Sequence, residues 1–156
     1  MKKVFALVAG CVLAASVSAQ AQLIDKKALS LAEARKAVGA AIEESKKNKW
    51  NHVIAVVDEA GQLITLDRTD NAQRASIDIA IGKARTAAMF RRPSAALEDG
   101  LNKGRPSLLS FQGQVLVQGG MPIIVNGVVI GAVGASGELA AQDEQVAKAG
   151  VDAIGK

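Results

Sequence analysis

Asn126-Gly127 stands between two β-branched runs, residues 123–125 (IIV) and residues 128–133 (VVIGAV). An Asn-Gly pair takes the two positive φ angles of a type I′ turn at little cost, so it closes a two-residue hairpin between strands of matching twist. A second hairpin is written upstream. Residues 52–58 (HVIAVVD) form a nearly continuous apolar run, residues 59–61 (EAG) turn with Gly61 at the positive-φ position, and residues 62–68 (QLITLDR) return in alternation. Strands joined by tight turns are antiparallel, which removes the doubly wound parallel folds, where a helix must separate successive strands.

Helical segments flank these hairpins. Ser30-Leu31-Ala32-Glu33 has the form of a capping box, and Leu31, Ala34, Val38, Ala41 and Ile42 recur at helical spacing to about Lys47. Lys46, Lys47 and Lys49 complement the dipole at that end. Residues 74–90 read as a second helix with the stripe Ile77, Ile81, Ala84 and Ala88. Gly82 in its middle costs about 1 kcal/mol relative to Ala, which predicts a close approach to the backbone there. Residues 92–94 (RPS) break this helix, a short helix covers about 94–101, and residues 102–114 read as a long loop. Residues 114–118 are a further strand candidate, residues 119–122 (GGMP) a break, and residues 141–154 a closing helix with Val146, Ala147, Gly150, Val151 and Ile154 on one face. The order α-β-β-α-α-β-β-β-α predicts an α+β fold, a central antiparallel sheet of about five strands with flanking helices.

The first 21 residues stand apart from this domain. Lys2 and Lys3 precede an apolar run over residues 4–15, and Ala19-Gln20-Ala21 follows as a small-x-small site, the three-part layout of a secretory signal peptide. The run is too short for a membrane span of about 20 residues. Val8-Ala9-Gly10-Cys11 offers a lipoprotein alternative, although the residues after Cys11 stay apolar. Cleavage after Ala21 takes 21 of 156 residues and leaves a single domain of 135, residues 22–156, in the periplasm or secreted. Loss of Lys2 and Lys3 lowers the net charge from +4 to +2, and the remaining charges are dispersed, so nucleic acid is not an expected partner. The chain has one Cys and one His, too few for a disulfide framework or for the four ligands of a structural zinc site, and its 3% aromatic content is poor for base stacking.

Few residues remain that can carry chemistry. His52, at the start of a strand beside Trp50, is ordinarily a partly exposed structural residue at such a position. The chemistry open to it is axial ligation of haem iron or general-base work. A Ser-His-Asp set can be drawn from His52, Asp58 and a serine, but no Gly-x-Ser-x-Gly elbow is present. Asp58, Asp67, Asp70 and Asp78 are scattered carboxylates that a hard cation can use, and Asp70 stands where a turn wants Asp anyway. Lys83, Arg85, Arg91, Arg92, Lys103 and Arg105 are denser; they read either as solvated dipole partners or as a site for an acidic ligand such as a carboxylate or haem propionate. Met89 and Met121 are soft donors for haem iron or core filler.

Three stretches together carry a resemblance: residues 53–88 (VIAVVDEAGQLITLDRTDNAQRASIDIAIGKARTAA), residues 119–137 (GGMPIIVNGVVIGAVGASG) and residues 142–150 (QDEQVAKAG). In order and spacing they make the chain similar to the GlcG/HbpS family, which also supplies the C-terminal domain of PduO proteins. The resemblance implies a compact profilin-like domain, binding of haem or another small ligand, assembly into homo-oligomers and, for exported members, a part in haem or iron handling or in redox sensing. Without a Cys-x-x-Cys-His motif, haem would be held non-covalently. It implies no shared axial ligand, so the ligand-binding candidates are this chain's own: His52, Met89 or Met121 toward the iron, and Arg85, Arg91 and Arg92 toward the propionates. Two other classes stay open, a non-catalytic oligomeric scaffold that binds a partner, and an enzyme acting on haem or on a small carboxylic acid. The lack of a recognisable acid/base pair weighs against the enzyme.

Overall fold

The computed structural model describes residues 24–154; the expected signal segment and Cys11 lie outside them. The chain runs α1 (Leu31–Lys47), β1 (Val53–Asp58), β2 (Leu63–Arg68), α2 (Ser76–Phe90), α3 (Ala95–Asn102), a 3-10 turn (Pro106–Ser110), β3 (Gly120–Val125), β4 (Val128–Ser136) and α4 (Ala140–Asp152). Both expected hairpins form. Asn126 and Gly127 have φ of 52° and 77°, and Gly61 has φ of 78°. At the start of α1, Ser30 Oγ accepts from Glu33 N at 3.2 Å, while the Glu33 carboxylate turns instead toward Lys36, 3.9 Å away. Leu31, expected on the buried face of this helix, is 45% exposed; Ala34, Ala37, Val38 and Ala41 make the contact.

The sheet is antiparallel throughout, in the order β2-β1-β4-β3. β1 and β4 are the inner strands, and helices cover both faces. Ile54, Val56, Val133 and Ala135 pack under α1 and α4 with Ala37, Val38, Ala41, Val146 and Ala147. Val53, Ala55, Val57 and Ala132 pack under α2 with Ala80, Ala84, Ala87 and Ala88. A strand buried on both faces has no polar side to alternate, which is why residues 53–57 are continuously apolar. The α2 layer is built from small residues and lies close to the sheet. A Cβ on Gly134 would collide with the carbonyl of Ala80 and the amide of Ala84. On the outer side of the same helix a Cβ on Gly82 would collide with Val115, the close approach that this mid-helix glycine predicts.

The sheet has four strands where about five were expected. Residues 114–118 are not a strand, because their backbone groups are taken by side chains. Val115 N donates to Thr86 Oγ1 at 3.1 Å, Gln118 N to Glu98 Oε2 at 2.6 Å, and Val117 O accepts from Ser94 Oγ at 2.7 Å. The segment is strapped across α2 and α3 and offers no ladder. The expected break at residues 119–122 is instead the beginning of β3, where Gly120 pairs with Gly134 and Pro122 with Ala132. Pro122 is tolerated because β3 is an edge strand with one ladder to satisfy.

Candidate functional site

Two places gather the chemistry-bearing side chains, one at each end of α2. The first is a buried polar network where α1, β1, α2 and α4 meet. His52 is fully buried, not partly exposed, and Trp50 stands edge-on to it with ring centroids 6.0 Å apart. Ser45 Oγ donates its one proton to Trp50 O at 2.9 Å and lies 2.9 Å from His52 Nδ1, so Nδ1 is the protonated nitrogen that donates to it. His52 Nε2 is 3.2 Å from Asp143 Oδ1 but off the line of a hydrogen bond, and it has no other partner among the described residues. Asp143 Oδ1 accepts from Glu138 N at 3.1 Å, and Oδ2 accepts from Lys83 Nζ at 2.6 Å. Lys83 and Asp143 are each only 2% exposed.

Ser45, His52 and Asp143 therefore stand in a row, but not as a hydrolytic triad. The serine is sealed at 0% exposure with its proton committed to a carbonyl, and it meets Nδ1 rather than Nε2. Asp58 is at the other end of β1, accepting from Ala60 N and Gln62 N to close its own turn. Lys83 leaves the exposed basic cluster altogether and becomes a core residue. No local motif marks Ser45, Lys83 or Asp143. The signal is positional: Asp143 falls in the i, i+3, i+4, i+7 stripe with Val146, Ala147 and Gly150, and Lys83 in that of Ala80, Ala84 and Ala87, so each is a charge written at a core position.

The second place is a crevice of about 290 Å³ between the β3–β4 hairpin, the β1–β2 turn, the C-terminus of α2 and the segment before α1. Val125, Val128, Val129 and Ala88 form its apolar wall; Lys26, Lys27 and Arg91 bring cations to it, and Asp25 and Glu59 carboxylates. Arg91 caps α2 with φ 55° and ψ 37°, the left-handed conformation that a helix end ordinarily gives to glycine. Arg85 Nε donates to Gly61 O at 3.2 Å, and Arg92 Nε to Phe90 O at 3.2 Å, so both flank the crevice without lining it. Met89, 51% exposed, lies beside Gly61 and within 3.6 Å of Gln114 Nε2. Met121 is on the opposite face of the sheet, packed against the α1–α4 core. The structure thus separates Met89, Met121 and His52 into three locations and brings only Arg91 of the six candidates into the crevice. Among the described residues no group of three or more His, Cys, Asp and Glu gathers as for a metal ion, and no helix is long and apolar enough to cross a membrane.

An open four-stranded antiparallel sheet, helices on both faces and an amphiphilic crevice at the hairpin end define an α+β domain of the profilin-like class. Comparison with known proteins narrows the class. The chain belongs to the HbpS-like family: the family model described as haem degrading protein HbpS-like matches residues 29–152. It is 40% identical over 111 residues to Protein GlcG of Escherichia coli strain K12, covering 71% of this chain and 83% of that protein. Its fold superimposes on the crystal structure of a double mutant of Streptomyces reticuli HbpS with a TM-score of 0.82 at 33% identity, covering 92% of this chain and 99% of the other. It superimposes on the crystal structure of a PduOC–haem complex with a TM-score of 0.75 at 28% identity, covering 83% and 96%.

Proposed function

We propose that this chain is an exported haem-binding protein that takes part in haem or iron handling and holds haem non-covalently at the crevice beside the β3–β4 hairpin. The observation that carries the reading is the composition of that crevice, an apolar wall of Val125, Val128, Val129 and Ala88 facing the cations Lys26, Lys27 and Arg91, which outnumber the carboxylates of Asp25 and Glu59 there. A porphyrin is a flat apolar ring with two carboxylates on one edge, and such a wall with such a rim matches both halves. Haem bound to a PduOC chain of the same fold supports it independently.

The crevice is at the small end of the roughly 300–1,000 Å³ range of ligand sites, so it takes one edge of the ring and the propionates. Ile124 and Val128, 54% and 58% exposed on the same hairpin, supply apolar surface by which a second copy would cover the remainder. Among the described residues no His, Met or Cys lines the crevice; the chain's residues supply ring contact and propionate pairing, and haem supplies one-electron and oxygen chemistry at its iron when bound. Export rests on the order of charged, apolar and small residues over residues 1–21.

Titration of the processed protein with haemin, followed at the Soret band, tests the reading. A saturable, stoichiometric shift that Arg91→Glu weakens and His52→Gln leaves in place is the expected result. A folded protein with no saturable shift would overturn haem binding. A shift lost in His52→Gln, with the fold intact, would move the site away from the crevice.

A further inference from the structure

The buried network adjoins a second cavity that haem binding does not use. This cavity, about 300 Å³, opens at the other end of α2. Lys83 and Asp143 form part of its wall, with Ser76 and Ser136 beside them and Ile79, Val115, Val117 and Ala140 around the rest. We infer that it is a capture site for an uncharged short-chain aldehyde or ketone, with Lys83 as the nucleophile that forms a Schiff base.

The inference starts from what is unusual about Lys83. A lysine 2% exposed is rare, because an ammonium is costly to remove from water, and this one has a single hydrogen bond, to Asp143 Oδ2. Two of its three hydrogens are uncommitted to any described residue. Lys83 presents an amine to a cavity with much apolar wall, and Asp143 Oδ2, 2.6 Å away, is the group in reach to carry a proton during addition to a carbonyl. Asp143 is itself held on its other oxygen by Glu138 N, so it keeps one orientation.

The cavity also has what a carbonyl compound needs. The hydroxyls of Ser76 and Ser136, on residues 3% and 5% exposed, bond to no described residue and are free to hold a carbonyl oxygen. The remaining walls are largely apolar and suit a chain of a few carbons. Charge decides between classes of carbonyl compound. One lysine stands against the carboxylates of Asp143 and Glu138 in this wall, so no positive surplus is left for a 2-oxo acid.

The step balances without an outside reagent. The Lys83 ammonium gives a proton to Asp143, and the free amine attacks the carbonyl carbon to form a carbinolamine. Asp143 returns the proton to the carbinolamine oxygen, the C–O bond breaks, and one water leaves as the C=N bond forms. Hydrolysis reverses the sequence, so the site binds and releases.

Propanal with cyanoborohydride, followed by peptide mass spectrometry of the folded protein, tests this directly. Cyanoborohydride converts any imine into a stable alkylamine at the lysine that formed it. The expected result is labelling of Lys83 on the order of tenfold or more above Lys46, Lys47 and Lys148, with the preference lost in urea. Those three lysines are 65%, 77% and 59% exposed, so simple accessibility predicts the reverse order. Labelling confined to such exposed lysines would overturn the proposal. Ser76→Ala, which leaves the Lys83–Asp143 pair intact, should lower the Lys83 label several-fold; an unchanged label would remove the hydroxyl from the site. Haemin titration of the same samples reports on the crevice at the far end of α2, so failure at one site is distinguishable from failure at the other.

Discussion

Asp143→Asn is the substitution that most sharply tests the buried network. The side chain keeps its volume and one oxygen, so Glu138 N retains its acceptor, but the charge that neutralises Lys83 is gone. Removing one partner of a buried pair costs about 3–5 kcal/mol, because the other charge stays behind uncompensated. The cavity beside Lys83 lets water reach the ammonium, which places the cost near the lower figure, about 3 kcal/mol. Against a total stability of about 5–15 kcal/mol this is a large share, and for a chain of this size it lowers Tm on the order of 10 °C. Adding Lys83→Met removes the orphaned charge, so the double variant should recover most of the loss. Urea denaturation of the wild type, both single variants and the double variant gives the coupling. A cost below about 1 kcal/mol for Asp143→Asn, or a double variant that loses the sum of the two singles, would refute the reasoning that the two charges are mutually dependent.

Three further outcomes follow from local geometry. Arg91→Gly relieves the left-handed helix cap and should raise stability by about 1 kcal/mol while weakening haemin binding, a separation read by urea midpoint and Soret titration on the same sample. Gly134→Ala drives a methyl into the backbone of α2 and should cost at least about 1–3 kcal/mol; Gly82→Ala meets only the side chain of Val115, on a loop, and gains about 1 kcal/mol of helix propensity, so its urea midpoint should fall less. Glu44 is held below the ordinary glutamate value of 4.5 by hydrogen bonds from Gln145 and Asn48 and by the nearby Lys47 charge, with burial opposing them. Its ionised form is the one the fold favours, so its stabilisation is present above 4.5 and is lost as pH falls through the lowered value. The stability advantage of wild type over Glu44→Gln should shrink over that acid range, and a pH-independent difference in urea midpoints would contradict it.

The parts of this fold that were legible in the sequence are those set by local chemistry. Asn126-Gly127 can hardly be anything but a hairpin turn, and the apolar run of residues 53–57 marks a strand covered on both sides. What escaped was set by contacts distant in sequence. Residues 114–118 have the composition of a strand, yet Thr86, Ser94 and Glu98 take their backbone groups before a neighbouring strand can. Residues 119–122 look like a break, yet from Gly120 onward they form an edge strand because β4 is there to pair with them. The candidate site divides in the same way. Arg91 was visible as one of a row of cations, but its selection over Arg85 and Arg92 depends on where a helix end meets a hairpin far along the chain.

Arg91 and Lys83, at the end and the middle of α2, present opposite solutions to placing a cation in an apolar layer. At the C-terminal end Arg91 stays at the surface, strains its backbone and turns toward a crevice with few fixed partners, which leaves it able to meet an incoming carboxylate. In the middle of the helix Lys83 is buried, and its charge is met within the protein by Asp143. A cation already matched in this way has little attraction left for an anion, whereas its amine, with a proton acceptor in contact, is suited to neutral electrophiles. The difference follows from the carboxylates beside Lys83, Asp143 in contact with it and Glu138 in the same wall. A charge at a core position of α4 thus matches the lysine and also carries its proton, so Asp143→Asn should not only destabilise the fold but also lower the propanal label on Lys83, read by the same peptide mass spectrometry.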